Sequence, residues 1–137
     1  MLKEDYIMRL FQQFNEMLAK WLNKKRFDNV ELAVNFNDEV VKPFLDKGIE
    51  FFEKMGIQDV INYFSDTYAN QFEKMSRLEI LAESLYQKSL MISESDQQTE
   101  IRRLALDIFT WLNEHDSTFS LTRDQRIEEL NIACERI

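Results

Sequence analysis

The chain predicts an all-α fold: one domain, built as a stack of antiparallel helical hairpins with about six or seven helices. Three observations carry that expectation. Apolar residues recur at steps of three and four through segment after segment. Breakers are scarce, with 2 Gly and 1 Pro in 137 residues, while Leu, Glu, Lys, Gln, Met and Ala are abundant. The hydrophobic share of 45%, including 11 Phe and 2 Trp, is enough for a core, and a charged share of 31% solvates the surface.

The first helix is expected over about Lys3 to Trp21, with Tyr6, Ile7, Leu10, Phe11, Phe14, Met17, Leu18, Trp21 and Leu22 along one side. Glu4 and Asp5 near its start and Lys20, Lys24 and Lys25 near its end suit the helix dipole. A turn follows at Asn23–Arg26, with Phe27 as a staple and Asp28 as N-cap of the second helix. That helix carries Val30, Ala33, Val34, Val40, Val41, Phe44 and Leu45. Asn35-Phe36-Asn37-Asp38 weakens its middle, Pro43 predicts a kink or an end, and Gly48 predicts a stop. This first hairpin spans about 3–46.

Residues 48–72 read as irregular short helices broken at Gly56. The stretch about 76–114 is a second hairpin around which the rest is organised. Leu78, Leu81, Ala82, Leu85, Ser89 and Ile92 form one apolar seam, and Ile101, Leu104, Ala105, Ile108, Trp111 and Leu112 the other. After a turn at His115–Ser120, with Ser120 as N-cap, a last helix over about 120–135 caps the stack through Leu121, Ile127, Leu130, Ile132, Ala133 and Cys134.

Composition also excludes. A net charge of −8 argues against nucleic acid as a partner. The longest basic run, Lys24-Lys25-Arg26, reads as a solvated helix end. No stretch is long and apolar enough for a membrane span, and the acidic start LKEDY does not read as a signal peptide, so a cytoplasmic location is expected. With one Cys and one His, neither a zinc site nor a thiol–imidazole pair is expected. Glycines at 48 and 56 alone cannot make a phosphate-binding loop. Asp38-Glu39 and Glu128-Glu129 read as solvated acidic pairs. No catalytic residue, cofactor or metal is assigned.

Two candidate sites remain. On the helix from Ser76 to Ile92, Ile80 and Met91 fall outside the seam, and with Glu83, Ser84 and Gln87 they mark a face for a partner or for the chain's own neighbouring helices. Phe51, Phe52, Tyr63 and Phe64 are candidates to line an apolar pocket.

The segments LKEDYIMRLFQQF, RFDNVELAVN, LEILAESLYQKSLM and RRLALDIFTWLN together resemble small, uncharacterised bacterial proteins with tetratricopeptide-like helical hairpins. The match is best over residues 2–34 and 77–113. Ala33, Ala82 and Ala105 stand where paired helices of such a hairpin would touch. The resemblance implies a helical-hairpin stack and no catalytic residue. The functional expectation is a non-catalytic module that holds a protein or peptide, or that assembles with copies of itself. The alternative is a helical bundle binding a small molecule in a Phe-rich pocket. An open groove favours the first and an enclosed aromatic pocket the second.

Overall fold

The computed structural model of the protein describes residues 2–24, 35–92, 95–116 and 120–135, and side chains within 9–23, 35–92, 96–116 and 120–134. The expected Asn23–Arg26 turn beyond Lys24, Phe27, Asp28, Val30, Ala33 and Val34, and the side chains of Glu4, Asp5, Tyr6 and Ile7, lie outside these residues. All regular structure among the described residues is helical.

Helix α1 spans Leu2–Lys24. It buries Leu10, Phe14, Leu18 and Trp21, at steps of four, four and three, so one stripe faces inward. Met17, expected on that stripe, is 39% exposed. The helical residues 35–45 form α2, and its local geometry follows from Pro43. Proline cannot donate, and its ring crowds the carbonyl of Glu39 four residues back. The chain answers with a π-helical stretch over Asn37–Val41, closed by the Lys42 N–H donating to the Asn37 carbonyl five residues earlier. An α-turn, Lys42–Leu45, completes α2. The stop is Asp46 rather than Gly48. Asp46 takes the left-handed conformation at φ 63°, and its N–H donates to the Lys42 carbonyl at 2.9 Å. Gly48 instead has extended backbone and opens α3, Ile49–Phe52. The buried Asn37 side chain ties these pieces together. Its Oδ1 accepts from the Ile49 N–H at 2.9 Å, and its Nδ2 donates to Glu50.

Gly56 breaks the chain as expected and opens α4, Ile57–Thr67. Asn70 caps α5, Gln71–Met91, by accepting from the Glu73 N–H at 3.1 Å. The long helix therefore starts five residues earlier than Ser76. Helix α6 spans Ser95–His115, with Gln97 and Gln98 in its first turn. Gln98 Nε2 donates to the carbonyls of Ser89 at 2.7 Å and Ile92 at 3.1 Å, satisfying acceptors at the end of α5. Ser120 Oγ accepts from the Arg123 N–H at 3.2 Å and caps α7, Leu121–Glu135.

Helix α5 is the hub. It packs on α1, α2, α3, α4 and α6, and α5–α6 is the most extensive pairing. Ala82 and Ala105 are both fully buried, which lets these two helices approach closely. Side-chain bonds from Glu79 to Arg123 and from Glu83 to Arg126 join α5 to α7 and set the two helices parallel. From Leu78 to Ser89 only Glu79 and Tyr86 keep partial exposure. Helix α5 therefore buries polar residues too, and each charged one is paired. Lys88 Nζ sits 2.7 Å from Glu53 Oε2, with both side chains 8% exposed.

Trp111 was expected in the seam but is only half-buried. It stacks on His115 with centroids 4.1 Å apart and lies under the Lys74 ammonium at 5.3 Å. Ile108, Phe109 and Leu112 fill the seam in its place. Phe109→Ala should therefore cost about 3–5 kcal/mol in urea unfolding, and Trp111→Ala roughly half as much. Breaking the buried pair with Lys88→Met should cost about 3–5 kcal/mol, because it strands the Glu53 carboxylate. Adding Glu53→Leu should recover most of that loss; a double variant no better than the single one would show that the pair itself is not the source.

Candidate functional site

The two sets of residues singled out from sequence have different fates. Ile80 and Ser84 are fully buried, Glu83 is 4% and Gln87 8% exposed, and Met91 is partly buried against the core. This face is occupied by the chain's own elements. Glu83 accepts both Arg126 Nε at 2.8 Å and Arg126 Nη2 at 3.0 Å, and Gln87 Nε2 donates to Glu83 at 2.9 Å. Ser84 Oγ has no hydrogen-bond partner among the described residues.

Phe51, Phe52, Tyr63 and Phe64 do come together, but ring against ring. Phe52 lies 5.5 Å from both Tyr63 and Phe64, and Phe51 lies 5.0 Å from Phe52 and 5.1 Å from Tyr63. Phe52 and Phe64 are fully buried while Phe51 is 42% exposed. These rings pack the α3–α4 corner, and neither of the cavities described below is lined by any of them.

The Arg-centred cluster between α5 and α7 is structural in geometry. Arg123, only 2% exposed, reaches Glu79 at 2.6 Å and Asp116 at 3.1 Å. Burial alone would lower its pKa; hydrogen bonds and charges from Glu79 and Asp116 outweigh it and hold the pKa above its usual value. Burial, and then the hydrogen bond to Glu129, push the Tyr86 hydroxyl up to about 12. Cys134 lies in the last turn of α7, while His115 ends α6, where its ring stacks on Trp111 and its Nδ1 lies 2.9 Å from the Trp111 carbonyl. Among the described residues no group of three or more His, Cys, Asp or Glu side chains could hold a metal ion.

The open space lies elsewhere, between the α3–α4 corner and α6. Two adjoining cavities of about 390 and 580 Å³ share Glu53, Lys54 and Glu100 in their walls and so form one open groove. Met55 and Ile57 of the corner, both half-buried, give it a small apolar surface, while Ile101 and Leu104 of α6 lie closed beneath it at 1% and 5% exposure. Asp96, Glu100, Arg103 and Asp107 run along one edge at steps of four, three and four, a stripe on a single helix face. At 1.5 Å per residue that edge is about 16 Å long. Glu53 is fixed there by Lys88 and by Gln97, whose Nε2 donates to its other oxygen at 3.4 Å. Sequence reasoning missed the groove because its two walls lie some forty residues apart in the chain. The one available signal was the acidic stripe on α6, and periodicity alone reads that as a solvated face.

Partial burial raises the Asp107 carboxyl above its ordinary pKa, against the lowering effect of Arg103. With the folded value above the unfolded one, stability falls as pH rises through that interval, and the penalty is complete above it. Asp107→Asn should therefore raise the thermal midpoint at pH 7 and give no advantage at about pH 3, below the ordinary aspartate value. An equal gain at both values would assign the effect to something other than this carboxyl.

No family model, curated protein or solved structure matches the chain.

Proposed function

We propose that the protein is a non-catalytic helical interaction module that holds a peptide or helical segment of another protein in the groove along α6. The observation that supports this is the groove's form: open, about three helical turns long on its α6 side, with half-buried Met55 and Ile57 on the facing wall and charged residues at its edge. The small-molecule alternative needed space among Phe51, Phe52, Tyr63 and Phe64, and those rings lie against one another. The engagement of His115 with Trp111, by stacking and at the Trp111 carbonyl, supports the non-catalytic part. The buried, closely packed Ala82 and Ala105 support a tetratricopeptide-like hairpin as the scaffold, in keeping with the resemblance to small bacterial proteins. No helix among the described residues is long and apolar enough to cross a membrane. A cytoplasmic location is proposed with it, supported by the single cysteine.

Site-specific photo-crosslinking tests the reading. A benzophenone side chain at Lys54 or Glu100, on the rim, should give discrete adducts to one partner segment, and the same group at exposed Glu39 should not. Ile57→Lys should remove the adducts while leaving the helical circular dichroism unchanged. Identical adducts from Glu39, or none from the groove, would sink the proposal. Adducts between two copies of the chain would make the partner a homo-oligomer.

A further inference from the structure

We draw no further inference here: the strongest candidate, the outer face of α7, where Leu121 and Ile132 lie about three helical turns apart at 62% and 46% exposure, is an exposed apolar face, and nothing in the structure shows what covers it.

Discussion

The structure depends on one constraint: α5 is enclosed on nearly every side, so the charges it buries have to be answered from other elements. Glu83 and Lys88 are almost as inaccessible as Leu81 and Leu85. A charge at such a depth is tolerable only with a partner and good geometry. Glu83 receives a bidentate guanidinium from Arg126, and Lys88 receives the carboxylate of Glu53. Those answers come from α7 and from the end of α3, so burial of one helix fixes the placement of two others. Arg77 adds a third tie near the start of α5. It pairs with Glu73 at 2.8 Å, lies over the Tyr68 ring at 4.8 Å and donates to the Phe44 carbonyl at the end of α2.

This arrangement explains why α7 docks with little apolar surface. Leu130 is its one fully buried apolar residue among those described, while Leu121 is 62% and Ile132 46% exposed. Arg123 and Arg126 supply what the apolar stripe lacks. The planar head of Arg126 meets Glu83 in two-pronged geometry, and Nη2 of Arg123 reaches both Glu79 and Asp116. Arg126 also lies over the Tyr86 ring at 4.3 Å, and Tyr86 donates to Glu129, so the contact joins π, ionic and hydrogen-bonding surfaces. Cooperative polar contacts of this kind constrain register more sharply than an apolar stripe does, because a one-residue slip leaves buried charges unpaired.

Much of the fold was legible in the sequence because burial and period agree there. Leu10, Phe14, Leu18 and Trp21 on α1, and Leu78, Ala82 and Leu85 on α5, are inside as their spacing implies. Gly56 and Ser120 mark boundaries by local rules and do so in the structure. What was not legible depends on tertiary partners. Arg123 reads as an ordinary surface residue until Glu79, forty-four residues away, is brought to it. Glu83 and Gln87 read as an outer face because helical period cannot distinguish a helix covered on one side from one covered on all. Asp46 could not be preferred over Gly48 as the stop, since the π-helical stretch ahead of Pro43 shifts where the helix ends. The candidate pocket failed for a related reason. Composition reveals that four aromatic rings are neighbours and not whether they leave space between them.

The same constraint accounts for where an interaction surface could survive. The buried charges of α5 are committed to holding α7, through Glu79 and Glu83, and the α3–α4 corner, through Lys88, and changing them would break the core before it changed a surface. Helix α6 is different. Its inner face meets α5 through Ile108, Phe109 and Leu112, and its last turns meet α7, where Asn113 Nδ2 donates to Asp124 at 3.0 Å. Its first turns have neither obligation on their outer edge. Glu100, Arg103 and Asp107 remain exposed there beside half-buried Met55 and Ile57. The charges are thus divided by helix: internal charge on α5 is committed to the fold, and the charged edge of α6 stays at the surface. A groove formed this way can vary its edge residues with little effect on the packed interior, since α6 holds its place through side chains on the opposite face.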